Sequence, residues 1–394
     1  MVRKERIAEL ELVRALGFLA VVYQHVIGVY MQAPGTDEQT AIVYGMLFHL
    51  LKFAVPAFIF ITGLVLFYNY YEDVSYLGFM RKRVKEILLP YLLWSAVYFA
   101  FNPNPHINTE QSLAWNLAKM VGTGTASYHL WFVVMIFQFY LFYPLWQRLF
   151  RFLRRHASTV GKLAVIGGIT ACIYGMLMWF SARYIPAHGF RFDQAWLDAF
   201  FIKYRDRNAL YYFFYFLMGG LVAVALPMFR AKIKQYWLSI CGLFLLLFAY
   251  IGYELFRDSG DGLVNLNVAT SLKPSMFVYT VFQLLLVYLL ALLLSAKKNR
   301  WTAWLTQFGK HSFGAYLVHA LVLTYVMKGL RSVEIFHTGV VGSLVAFVLC
   351  SILSFAISYG ISKIPFGSLL VGSAPKKRQS AVPKQAESLH KEAM

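Results

Sequence analysis

Charge is scarce in this chain. Only 14% of its 394 residues are Asp, Glu, Lys or Arg, against about 25% in soluble globular proteins. Acids are scarcer still, 18 against 37 basic residues. There are three cysteines, Cys172, Cys241 and Cys350, each in a separate apolar stretch. They make neither a metal-ligand spacing nor a disulfide framework. The chain also lacks a phosphate-binding Gly-rich loop, a GxSxG elbow and a zinc signature. These absences argue against a soluble nucleotide-dependent enzyme, a serine hydrolase of the elbow type and a metalloenzyme. No metal or permanently bound cofactor is expected.

Apolar sequence fills the space. Hydrophobic residues make up 59% of the chain, and mean hydropathy is +0.56. Runs long enough to cross a bilayer fall near 7–30, 43–70, 84–101, 129–150, 160–182, 209–229, 235–256, 275–296, 312–330 and 338–362. The expected fold is all-α, a polytopic membrane protein of about ten transmembrane helices. The first run lacks a small-residue cleavage site and more spans follow it, so it reads as a retained helix rather than a signal peptide.

The net charge of +19 does not indicate nucleic acid, because it follows topology. With the N-terminus placed inside and the connections alternated, 25 of the 37 basic residues fall on one side. The positive-inside rule then puts both termini in the cytoplasm. The expected organisation is a transmembrane domain over 1–370 and a polar, disordered cytoplasmic tail over 371–394. The expected location is the cell membrane, of bacterial plasma-membrane type, with the lipid bilayer as a partner.

Ionisable residues inside such runs are costly, about 3 kcal/mol or more each, and mark functional positions by default. Arg14 and His25 lie in the first run. Eleven helical steps separate them, 20° past three full turns, so they share a face about 16 Å apart along the axis. Glu11 is one turn before Arg14 and within reach of it. The second run carries His49 and Lys52, three apart on one face, with a kink expected at Pro56. Arg81, Arg83 and Lys85 lead into the third run, ahead of Pro90, Tyr91 and Trp94. They read as a positive-inside anchor or as a clamp for phosphates. His129 and Trp131 stand at the mouth of the fourth. Ser312, Tyr316 and His319 fall on one face of the ninth. Gly219 and Gly220 of the sixth allow close helix approach.

Five of these patterns, in order, resemble the acyltransferase family 3 group of integral-membrane enzymes, over roughly 7–370. They are Arg14-x10-His25 with Glu11 before it; VPAFIFITGLVLF at 55–67, with Thr62 where serine is usual; and Arg83 with Pro90, where Lys85 and Glu86 replace a further arginine. The others are YHLWF at 128–132 with Tyr140 and Pro144, and FGKHSFGAYLVH at 308–319. The resemblance implies O-acylation of a cell-envelope polysaccharide or glycolipid, with acyl-CoA, acetyl-CoA first, as the cytoplasmic co-substrate. It implies that His25 is essential and that Arg14, with Glu11, supports the donor or the site. It also favours Arg81, Arg83 and Lys85 as donor contacts. His49, Lys52, His129, Trp131, Ser312, Tyr316 and His319 are candidate substrate contacts. The chemistry is consistent: a sugar hydroxyl needs a base whose pKa lies near 7, and histidine is that base. The rival reading is an exporter or flippase of a glycan or lipid-linked sugar, whose pathway Arg14, His25 and Lys52 would line.

Overall fold

The computed structural model describes residues 7–70, 75–101, 111–156, 159–259, 264–266, 271–297, 299–333, 336 and 338–372. The expected disordered tail from 373 onward lies outside the described residues. The described part is helical, and it contains eight helices long and apolar enough to span a membrane. These include α1 (Glu9–Met31), α2 (Glu38–Leu50) joined to α3 (Ala54–Asn69), and α4 (Tyr76–Arg83) joined through a π-helical turn, Val84–Leu88, to α5 (Leu89–Phe101).

After α6 (Leu113–Thr123), the fourth predicted run divides at Phe142 into α7 (Trp131–Leu141) and α8 (Tyr143–His156). Next come α9 (Val160–Trp179), a series of short turns, and α10 (Phe213–Val224) with α11 (Leu226–Gln235). Counted from Ala209, that pair is bent by 103°; Pro227 starts the second helix, where a missing N–H costs nothing. The remaining spans are α12 (Trp237–Ser259), α13 (Pro274–Ser295), α14 (Arg300–Leu330) and α15 (Gly339–Ile361). A last turn, α16 (Ser368–Val371), folds back on the bundle.

The bundle is built around α1, which packs against α2, α3, α13, α14 and α15. Two close approaches set this arrangement. Gly309 of α14 lies against the backbone carbonyl of Glu11, where any Cβ would collide. Gly63 of α3 and Gly219 of α10 do the same for each other's helices, at Phe216 and Phe60. Small residues are what allow helices in hydrocarbon to pack at this range.

The interruption in the second span precedes the proline. α2 ends at Leu50 and α3 begins at Ala54, so Pro56 sits in the first turn of the new helix. Pro56 has no N–H for the Lys52 carbonyl, and its ring would clash with that carbonyl in a continuous helix. The carbonyls released by the break are satisfied from α13. Tyr279 OH donates to His49 O at 3.1 Å, and Gln283 Nε2 donates to Leu50 O at 2.6 Å.

Candidate active site

Two cavities open on opposite sides of a buried cluster of imidazole and phenol rings. The first, of about 300 Å³, holds Glu11 and Arg14 of α1, Thr62 of α3 and Arg83 and Glu86 of the α4–α5 segment. Tyr140 of α7, and Lys310, Ser312 and Tyr316 of α14, complete its polar lining. Arg14 Nη1 pairs with Glu11 Oε2 at 3.1 Å, and Arg83 Nη1 with Glu86 Oε2 at 3.4 Å. The Arg83 guanidinium lies about 5 Å from the rings of Phe79 and Tyr140, where stacking and desolvation both favour arginine over lysine. Three cations against two carboxylates leave this cavity positive. Val371 and Gly372 close part of its wall, held by the Trp94 Nε1 bond to Leu370 O at 2.9 Å.

The second cavity is larger, about 1050 Å³. His25, Gln24, Gln32, Phe48, Tyr128 and Arg331 are among its lining residues. The His25 ring sits 4.7 Å from Tyr128 and 5.2 Å from His319, centroid to centroid.

Between the cavities lie His319, His129 and Tyr316. The His319 and His129 rings are 4.6 Å apart, and both are within 6 Å of Tyr316. Tyr316 OH donates to the His129 carbonyl. His319 Nδ1 lies 2.5 Å from Tyr316 O, so that nitrogen carries the proton and Nε2 is left as an acceptor. Among the described residues, the buried Nε2 atoms of His319 and His129 have no hydrogen-bond partner. A polar ligand at this point would find groups already desolvated to receive it.

The residues singled out in sequence are therefore divided. Glu11, Arg14, Arg83, Ser312 and Tyr316 share the first cavity, and His25 lines the second. His129 and His319 join the two. Ser312 is turned back on its own helix, donating to Gly309 O at 2.9 Å. Arg81 and Lys85 are exposed and outside the first cavity's lining. Trp131 packs towards Tyr212, 6.3 Å away. His49 and Lys52 do not share a face, because the break falls between them. The ring of His49 is buried, its Nδ1 2.6 Å from Gly45 O, whereas Lys52 Nζ lies 4.3 Å from the centroid of the Phe48 ring, which lines the second cavity.

Tyr98 is the clearest residue that sequence reasoning passed over. Its hydroxyl donates to Leu317 O at 2.8 Å and accepts from Leu321 N at 3.2 Å, and its ring abuts His129. A signal was present: Tyr91, Trp94 and Tyr98 form a helical stripe. Lys310, inside the FGKHSFGAYLVH stretch, lines the first cavity without a spacing that marks it.

A family model described as an acyltransferase domain matches residues 7–363. The chain belongs to that family. This membrane acyltransferase is also 24% identical over 387 residues to the "Putative membrane-bound acyltransferase YfiQ" of Bacillus subtilis (strain 168), covering 96% of this chain and 97% of that one. No solved structure matches it. The family match spans α1 to the end of α15 and so includes the second cavity, the ring cluster and all of the first cavity's lining except Val371 and Gly372.

Proposed function

We propose that this acyltransferase moves an acyl group, acetyl first, from cytoplasmic acyl-CoA to a hydroxyl of a cell-envelope glycan on the other side of the plasma membrane. The observation that carries this reading is the pair of cavities along α1, separated by the ring cluster, with Arg14 in one and His25 in the other. A polyanionic donor suits the cavity of Arg14, Arg83 and Lys310, where guanidinium groups bind phosphate in bidentate fashion. The excess of basic residues on one side of the spans supports a cytoplasmic position for that cavity and for both termini. The roomier His25 cavity, with amide side chains and an exposed Tyr128 ring, suits a sugar.

In this reading the thioester carbonyl lies at the ring cluster. His25 accepts the proton of the acceptor hydroxyl as its oxygen forms the new C–O bond, the C–S bond breaks, and the thiolate leaves towards the donor cavity and takes up a proton there. The unpartnered Nε2 of His319 gives a second hydrogen-bonding point for a hydroxyl in the gap. Holding donor and acceptor in one place converts a bimolecular reaction into a local one.

The test is transfer of label from acetyl-CoA into envelope glycans by membranes carrying the protein. His25→Ala is expected to lower transfer at least about 10³-fold, within the range contributed by a positioned base together with lost orientation. Its insertion and thermal unfolding should match the unmodified protein. Transfer at the unmodified rate would remove His25 from the chemistry, and export without an acyl donor would favour a transporter.

A further inference from the structure

Lys52 occupies the break between α2 and α3, inside the span 38–69. Four buried or half-buried carboxylates of the described bundle have cationic partners: Glu9 with Arg230, Glu11 with Arg14, Glu86 with Arg83 and Glu254 with Lys273. Among the described residues, none pairs with Lys52. Its ammonium instead lies 4.3 Å from the centre of the Phe48 ring, an attraction that offsets only part of the lost hydration.

Phe48 is a wall of the His25 cavity, so the charge stands one ring away from that cavity. Among the described residues, the lining itself contains one cation, Arg331, and no aspartate or glutamate. A cavity at membrane depth with one cation in its lining and a second behind its Phe48 wall concentrates an anion. The position is maintained at some structural expense: Gln283 and Tyr279 hold the carbonyls of the break that puts Lys52 there.

We propose that Lys52 is the counter-ion for an anionic group, a carboxylate or phosphate, on the substrate held in the His25 cavity. The inference rests on the acyl-transfer reading of that cavity and narrows its substrate class. The anion has two chemical sources. It belongs to the acceptor glycan, as a sugar acid or a phosphate, or it is the free carboxylate of a dicarboxylic acyl group. A lysine suits either source, because a compact charge on a flexible stem follows its partner.

Binding is read first, on purified full-length protein in neutral detergent, by thermal unfolding with glucuronate, succinate or inorganic phosphate and with glucose as the neutral control. At least one anion should raise the melting temperature. Its half-saturating concentration should increase about ten-fold or more in Lys52→Gln and in Lys52→Met, and less than about three-fold in Lys52→Arg. The methionine variant covers the case in which Gln is poorly tolerated in the span. No anion-dependent shift in the unmodified protein, or an equal shift in both neutral variants, overturns the proposal.

Transfer of label from acetyl-CoA and from succinyl-CoA then separates the sources. Loss of both transfers in Lys52→Gln assigns the anion to the acceptor, and loss of succinyl transfer alone assigns it to the acyl group. Undiminished transfer of both overturns the proposal. The binding measurement needs no turnover. A Lys52-dependent anion shift in a preparation that transfers neither acyl group would therefore support the counter-ion and remove the acyl-transfer reading by itself.

Discussion

Glu9 shows how much a single side chain holds in this bundle. Its buried carboxylate accepts from Arg230 Nε at 2.7 Å, from Arg230 Nη2 at 3.0 Å and from Tyr288 OH at 2.7 Å. The start of α1 is thereby tied to α11 and α13. Replacing Glu9 by Gln leaves a charged guanidinium facing a neutral amide. Removing one partner of a fully buried pair costs about 3–5 kcal/mol. The Arg230 side chain is 31% exposed, which lowers the expected cost to about 2 kcal/mol. Tyr288→Phe should cost about 1 kcal/mol, the value of one hydrogen bond. Thermal unfolding in detergent should rank the two variants in that order. Neither Glu9 nor its partners could be paired from sequence, since Glu9 and Arg230 are 221 positions apart and no helical spacing links them. Glu11 and Arg14, three apart on one helix, were legible from spacing alone.

At the scale of elements, the break between α2 and α3 has the most consequence. Pro56 announces it, but a proline's effect falls on the preceding turn, so the interruption is at 51–53 and not at the proline itself. That shift separates His49 from Lys52. His49 is sealed in the bundle, while Lys52 turns to the Phe48 wall of the His25 cavity. In hydrocarbon a broken helix survives only if its free carbonyls are taken up within the protein. Gln283→Leu removes the side-chain donor to Leu50 O and one of two side-chain donors to His49 O, which also accepts from Lys52 N. The expected loss is about 1–3 kcal/mol, read as a lower melting temperature. Faster amide hydrogen exchange should be confined to residues near 49–54. Uniformly faster exchange over the whole chain would mean that the clamp is not local. A donor from α13 to this break has no sequence signature, since Gln283 reads as one polar residue in an apolar run.

For the whole molecule, the glycine contacts decide whether the spans assemble. Gly219 lies against the Phe60 carbonyl, whereas a Cβ on Gly242 would have no neighbour within 4 Å. Both substitutions to Leu add the same volume to an apolar helix. Gly219→Leu is expected to prevent the α3–α10 approach, so the protein should fail to elute as a single species on size exclusion. Gly242→Leu should elute unchanged. Equal behaviour would show that the crossing tolerates separation. The sequence marks Gly219 as a close-approach residue but does not say which helix approaches it.

Composition and patterning are enough to assign the class of the molecule. Hydrophobic runs of bilayer length force helices, because only local hydrogen bonding satisfies a backbone in hydrocarbon. The basic residues give those helices an expected orientation, and a period of 3.6 puts Arg14 and His25 on one face of α1. Those are local quantities, and the chain carries them residue by residue. Helix packing is what assigns Arg14 and His25 to two different cavities, sets Tyr316, His319 and His129 between them, and leaves Arg81 and Lys85 outside the first cavity. Each depends on how far apart two helices sit and how they are turned. Contacts between residues tens to hundreds of positions apart set those distances, and no local period encodes such contacts.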